Sequence, residues 1–264
     1  MWEAAMILGG TGLLLGTGLA YVAIKVAVPP DERVVAVREQ LPGANCGACG
    51  FPGCDGLAGA IVKGEAKPAA CTAGGPAVIQ AVSQVLGIEA ELVEPKVVAV
   101  HCVGTDSAAL ALYRYDGVKD CRAAALLPGS GPKACGYGCL GLGTCAGLCP
   151  FGALSMNAET GLPVVNREKC TACGICVTAC PRHVLGLIPR AQATLVACRS
   201  LDKGPVVRKL CAAGCLACSL CVRSCPQKAI VMENNLAVID PALCDGCDTC
   251  VAKCPPKTIQ SLSA

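Results

Sequence analysis

The stretch "CTACGICVTACP", residues 170–181, decides how this chain folds. Cys170, Cys173 and Cys176 stand two residues apart, Cys180 follows after three more, and Pro181 closes the phrase. The phrase returns as Cys215-x2-Cys218-x2-Cys221-x3-Cys225-Pro226 and as Cys244-x2-Cys247-x2-Cys250-x3-Cys254-Pro255. A stretched copy comes first, Cys135-x3-Cys139-x5-Cys145-x3-Cys149-Pro150. Each Cys-Pro runs into a short apolar segment, so one small unit is repeated along the chain.

Runs of this spacing hold [4Fe–4S] clusters in bacterial ferredoxins. Three thiols two residues apart wrap a tight loop around one face of a cube. Small residues between them let backbone N–H groups approach the sulfides. By the fourth thiol the chain has turned away, so that thiol reaches the cluster of a partner repeat. The proline after it ends the helix without needing a donor. Repeats therefore work in pairs. In the first pair the expected sets are Cys135, Cys139, Cys145 with Cys180, and Cys170, Cys173, Cys176 with Cys149. In the second they are Cys215, Cys218, Cys221 with Cys254, and Cys244, Cys247, Cys250 with Cys225. The segments "ALSMNAETGLPVVN" (153–166) and "AIVMENNLAVID" (229–240) each read as two short strands around a polar turn. Structural zinc sites bring two CxxC pairs separated by a longer stretch, which these runs do not show.

A different module precedes the repeats. In "NCGACGFPGCDGLAGAIVKGEAKPAAC" (45–71), Cys46, Cys49, Cys54 and Cys71 are spaced x2, x4 and x16, with no Cys-Pro and no partner repeat. Four thiols suffice for one cluster without exchange. "GLAGAIVKGEA" has helical period, and that helix would carry the chain away and back to deliver Cys71. A four-cysteine zinc site is the rival reading.

Composition agrees with metal. Of 264 residues 24 are cysteine, against two Phe and one Trp, so coordinate bonds must replace missing burial. The formal charge of +3 gives no argument for nucleic acid. Residues 4–24, "AAMILGGTGLLLGTGLAYVAI", carry no charge, and at about 1.5 Å per residue they span roughly 30 Å, one bilayer core. They read as a retained membrane anchor in contact with lipid, not a cleaved signal, for only Glu3 stands where a basic n-region would be. Lys25, Arg33 and Arg38 follow the segment, which places the body of the chain in the cytoplasm. Cytosolic thiols stay reduced, which favours metal over a disulfide framework. Gly12, Gly16 and Ala20 recur at i, i+4 and i+8, a ridge on which a neighbouring helix could approach closely, although glycine is common in membrane helices anyway.

The anchor, the four-cysteine module, then "VHCVG", "KACGYGCLGLGTCAGLCPFGAL" and the paired repeats together resemble the B subunit of the Rnf complex, an ion-translocating ferredoxin:NAD oxidoreductase of prokaryotic plasma membranes. The resemblance covers nearly the whole chain in order. Short family members carry one ferredoxin pair and this chain two, so it is similar to the long versions. The resemblance implies a single-pass subunit with its cluster domains on the cytoplasmic side. It implies soluble ferredoxin as donor, other Rnf-type subunits, membrane and peripheral, as partners, and flavin and NAD sites on those subunits. A polyferredoxin of another membrane oxidoreductase, such as a hydrogenase-linked complex, is the alternative. No GxGxxG between a strand and a helix, no Walker A and no HExxH occurs. His101 and His183 read as structural.

Twenty thiols fill five cubes. Cys102, Cys121, Cys198 and Cys211 remain. "VVAVHC" and "ATLVAC" are both apolar strands ending in cysteine, each followed by a second cysteine shortly before a ferredoxin repeat, so a supersecondary unit looks duplicated. The four could hold a sixth cluster, or serve as small buried hydrophobes. The expected architecture is α+β: an anchor over 1–28, a one-cluster domain over 29–90, and a connecting segment with Cys102 and Cys121 over 91–134. A first 2[4Fe–4S] unit follows over 135–190, a second connecting segment with Cys198 and Cys211 over 191–214, and a second 2[4Fe–4S] unit over 215–264.

Overall fold

The computed structural model describes residues 2–26, 31–90 and 93–262. Residues 1, 27–30, 91–92 and 263–264 fall at the expected ends of the anchor, the module and the second unit, and lie outside the described residues.

Helix α1 (Trp2–Val26) has Glu3 in its first turn and Lys25 in its last, the charge order that suits a helix dipole. Between them its polar groups are hidden. Thr11 Oγ1 donates to Ile7 O (2.8 Å) and Thr17 Oγ1 to Leu13 O (2.7 Å). The segment Met6–Val26 is the one helix among the described residues long and apolar enough to cross a membrane, and none of it is buried against protein.

Three helices build the next module: α2 (Glu32–Gln40), α3 (Gly53–Val62) and α4 (Gly75–Leu86). Asp31 caps α2 by accepting from Arg33 N. Pro76 opens α4, and Gly87, left-handed at φ 66°, closes it. Val37, Leu57, Ile61 and Val82 meet in one apolar cluster with Cys54 and Cys71. The helix read from "GLAGAIVKGEA" is α3, turned back at Gly64, and Cys54 already lies in its first turn.

Strand β1 (Lys96–Val100) leads into a long segment holding the short helix α5 (Cys121–Ala125). The first ferredoxin unit follows: α6 (Thr144–Gly147), β2 (Leu154–Met156), β3 (Pro163–Val165), α7 (Ile175–Ala179) and β4 (Leu185–Pro189). The same order then recurs. Strand β5 (Thr194–Val196) and helix α8 (Gly204–Leu210) precede α9 (Leu220–Ser224), β6 (Ile230–Glu233), β7 (Leu236–Ile239), α10 (Thr249–Lys253) and β8 (Ile259–Ser261).

Both expected hairpins are present. β2 pairs antiparallel with β3, and β6 with β7. The second turns through Asn234 and Asn235 at φ 47° and 66°, the left-handed pair that a two-residue hairpin turn requires. The strands before the repeats pair with the strands that end them: β1 with β4, and β5 with β8. His101 N donates to Val184 O (2.7 Å) in the first unit, and Ala197 N to Thr258 O (2.9 Å) in the second. The connecting segments are thus integral edges of the two units.

Candidate metal centres

The cysteine loops share one backbone device. In Cys170–Cys176 the residues flanking the middle thiol, Ala172 and Gly174, are left-handed at φ 56° and 82°. Ala217 and Ser219 flank Cys218 at 53° and 56°, and Gly246 and Asp248 flank Cys247 at 74° and 53°. Two left-handed residues in five wind the chain into a concave nest whose N–H groups face inward, a shape that favours negative charge. Non-glycine residues adopt this conformation at a cost, so packing around the loop must hold it. Each loop then opens a five-residue helix, α7, α9 or α10, that ends at the fourth cysteine.

Four cavities are each lined by four cysteines. In the opening module Cys46, Cys49, Cys54 and Cys71 line one of about 320 Å³, with Leu57 at its base. Asn45, itself left-handed at φ 47°, accepts a bond from Cys54 N (2.8 Å) and so ties the start of the loop to α3. Burial pushes the Cys71 thiol up, against a bond from Gly74 N–H, and the neighbouring Cys54, Cys49 and Cys46 add to the rise. In the second ferredoxin unit Cys215, Cys218, Cys221 and Cys254 line a cavity of about 360 Å³, the exchanged set expected there. Cys225, Cys244, Cys250 and Cys254 pack in the apolar cluster of that unit.

The first unit departs from expectation. Its cavity of about 390 Å³ is lined by Cys139, Cys145 and Cys180, but the fourth cysteine there is Cys121, not Cys135. Cys135 lines a separate cavity of about 390 Å³ with Cys102, Cys198 and Cys211. The expected sixth group is therefore brought together with one exchange: Cys121 stands away from it and Cys135 joins it. Burial pushes Cys145 up to about 11, with Cys121 and Cys180 adding to the shift. Burial likewise carries Cys176 up to about 12, and its charged neighbours are Cys173, Cys145, Cys170 and Cys149.

The cavities fit a cluster bound by thiolates. Their linings are almost wholly apolar, and the polar groups that reach sulfur are mainly backbone N–H donors. Ala153 N donates to Cys149 Sγ (3.3 Å), Cys139 N to Cys102 Sγ (3.4 Å), and Cys215 N to Cys198 Sγ (3.5 Å). Among the described residues no three His, Cys, Asp or Glu groups converge tightly enough for a single ion. A cube, with its thiolates on separate corners, needs them farther apart. Burial raises the free thiols, Cys139 to about 12 and Cys198 and Cys250 to about 11. Metal binding must therefore displace protons from them. His101 lines the cavity of Cys102, Cys135, Cys198 and Cys211. Its ring Nδ1 faces Val196 O at 3.1 Å, and burial, helped by Arg199, lowers its pKa.

Several of the sets lie beside one another. Cys71 of the opening module and Cys170 of the first unit line one cleft. Burial raises the Cys173 thiol, and the nearby charges of Cys46 and Cys149 raise it further. Cys176 neighbours Cys145, Cys139 bonds to Cys102, and Cys198 receives the bond from Cys215. Cys221 and Cys250 pack in one apolar cluster.

Thiolate cavities in paired hairpin units define a protein of the [4Fe–4S] ferredoxin class. Family models agree: an Fe-S cluster model matches residues 41–73, a 4Fe-4S binding domain 163–185, and a 4Fe-4S dicluster domain 209–255. The B subunit of the Na(+)-translocating ferredoxin:NAD(+) oxidoreductase complex of Acetobacterium woodii is 48% identical over 238 residues, 90% of this chain and 71% of the relative. Its counterpart in the proton-translocating ferredoxin:NAD(+) oxidoreductase complex of Clostridium ljungdahlii is 46% identical, over 88% of this chain and 82% of the relative. The counterpart in the ion-translocating oxidoreductase complex of Methanosarcina acetivorans is 42% identical, over 90% and 89%. The chain belongs to the family of B subunits of ion-translocating ferredoxin:NAD oxidoreductase, or Rnf, complexes.

Proposed function

We propose that this chain carries electrons from reduced soluble ferredoxin to the other subunits of an ion-translocating ferredoxin:NAD oxidoreductase complex. It converts no substrate at a site of its own. The observation that carries this reading is the series of cavities each lined by four cysteines in a chain of this family. When bound, the clusters supply one-electron redox chemistry. The protein's part is to hold each one by four thiolates, to aim backbone N–H groups at the sulfurs, and to keep water off the apolar faces. All ligands on this reading are cysteines, and no histidine replaces one as in Rieske centres, which suits a low potential.

Helix α1 anchors the chain in a prokaryotic plasma membrane, and Lys25, Arg33 and Arg38 after it favour a cytoplasmic body. The module of Cys46 to Cys71 follows the anchor closely in sequence and stands nearest the membrane partners. The ferredoxin units reach further out and meet the soluble donor. The test is Cys49→Ala in the assembled complex. Ferredoxin should still bleach the distal units, while electron delivery to the membrane partners stops. Full ferredoxin-to-NAD activity in that variant would make the module a structural staple and remove it from the path.

A further inference from the structure

The cavity of the first unit and the separate cavity beside it differ from the sets that spacing alone suggests. Their cysteines can be understood by laying the two units over each other. Residues 133–145, "KACGYGCLGLGTC", align without a gap on residues 209–221, "KLCAAGCLACSLC". Cys135, Cys139 and Cys145 fall on Cys211, Cys215 and Cys221. Backbone conformation follows: Gly141 and Gly143 are left-handed at φ 76° and 78°, where Ala217 and Ser219 are at 53° and 56°. Helices α6 and α9 both open just after those left-handed residues. Of the second unit's four cysteine positions in this stretch, one is not cysteine in the first. Leu142 stands where the second unit has Cys218, the middle thiol of its run.

The first unit is thus one ligand short, and Cys135 is not the spare that fills the gap. Cys135 corresponds to Cys211, which lies outside the second unit's own run. The cysteine without a counterpart is Cys121. It opens α5, where Asp120 caps the helix by accepting from Arg122 N (2.7 Å). Cys121 N donates to Thr144 Oγ1 (2.6 Å), and Thr144 immediately precedes Cys145. That bond latches α5 to the cysteine loop and holds Cys121 at the cavity that Leu142 cannot serve.

The remaining four cysteines form a pair of pairs. Cys102 follows β1 and Cys198 follows β5, the equivalent edge strands. Cys139 N donates to Cys102 Sγ at 3.4 Å, and the equivalent Cys215 N donates to Cys198 Sγ at 3.5 Å. The two halves are stitched across the cavity. Leu110 N donates to Leu210 O (2.9 Å) and Ala212 N to Ala108 O (2.8 Å), which fixes Cys211 against the segment after Cys102. Gly104 lies between, and a Cβ there would come within 3.3 Å of Cys211 Sγ and 3.6 Å of Cys102 Sγ.

We propose that Cys102, Cys135, Cys198 and Cys211 hold a sixth [4Fe–4S] cluster between the two ferredoxin units, and that Cys121 completes the site of Cys139, Cys145 and Cys180. Two thiols from each unit make the sixth site a bridge. Without it the two ferredoxin units would be separate pairs joined by polypeptide alone. The inference rests on the reading of the chain as a [4Fe–4S] carrier, and its failure leaves that reading standing with five clusters.

Two sets of variants of the full chain, purified anaerobically in its complex, test it by iron, sulfide and zinc content and by EPR. The parent should hold about 24 irons, four for each of six cubes. Cys102→Ser with Cys198→Ser should lower that to about 20 and leave the other five spectra in place. A parent count of about 20, or one zinc per chain that this double variant removes, would overturn the sixth cluster. If the double variant does not accumulate, the parent count decides alone. Cys121→Ser should lose or alter the spectrum of the Cys139, Cys145 and Cys180 site. Adding Leu142→Cys should restore it, because that position carries the middle thiol in the other repeats. A spectrum unchanged by Cys121→Ser, or a loss that Leu142→Cys does not repair, would overturn the assignment of Cys121.

Discussion

Helix α8 (Gly204–Leu210) carries Cys211 at its end and starts against the loop between Cys215 and Cys218, so its seating can be tested by one methyl group. A Cβ built on Gly204 would lie 2.3 Å from Leu216 O and 3.1 Å from Leu216 C. Ordinary contact begins near 3.4 Å, so 3.4 − 2.3 leaves an overlap of about 1.1 Å with backbone that cannot rotate away. Gly204 has no left-handed φ, so the overlap dominates the effect of Gly204→Ala. Overpacking of this kind costs about 1–3 kcal/mol. At tenfold for each 1.4 kcal/mol, local opening of the region should become about 5- to 150-fold more frequent. The assay is anaerobic loss of visible cluster absorbance in the presence of an iron chelator. Gly59→Ala is the control: it sits inside α3 with nothing within 4 Å, and should be neutral or stabilise by about 0.5–1 kcal/mol. Gly204→Ala should bleach faster than both parent and control. Bleaching at the parent rate would mean that α8 does not press on the Cys215–Cys218 loop and would refute the packing described here.

Other expectations are more local. Arg182, buried at 8% exposure, bonds the carbonyls of Cys135, Gly136 and Ser130; Arg182→Met should leave them unpaired, cost about 1–3 kcal/mol and raise hydrogen exchange across 129–138. Exchange no faster than in the parent would show that the guanidinium is dispensable. Leu57→Ala removes a side chain 1% exposed beneath the opening module and should cost about 2–5 kcal/mol, read as preferential loss of that module's EPR signal. Gly12→Leu with Gly16→Leu should release the chain from its membrane partners while all clusters stay filled; co-purification at parental levels would show that this ridge of α1 is not a contact.

Much of this architecture was legible because cysteine spacing is a strong local constraint. Three complete runs imply their loops, helices and hairpins, and Asn234-Asn235 marks its own turn. The edge strands before each unit could be read from "VVAVHC" and "ATLVAC" as apolar segments, but their partners could not: pairing of β1 with β4 joins residues about ninety apart, and nothing local specifies it. The place of Cys135 beside Cys102, Cys198 and Cys211 is not legible in the spacing for a definable reason. Counted back from Cys149-Pro150, Cys135 is the first of four thiols in the stretched copy, as many as one cluster needs. The signal that separates them is Leu142, visible only when the first run is laid on the second from Lys133 and Lys209 onward. Cys121 offers no such signal, because its place beside Cys139 and Cys145 comes from the bond to Thr144 and the path of α5, both tertiary.

Metal content tests the electron-carrying role most directly. Iron, acid-labile sulfide and zinc should be counted on one sample of the full chain, purified anaerobically in its complex. About 24 irons and as many sulfides per chain, with little zinc, is the predicted result. Stoichiometric zinc with little sulfide would contradict it, and the chain would then be a thiolate scaffold with no means of carrying an electron.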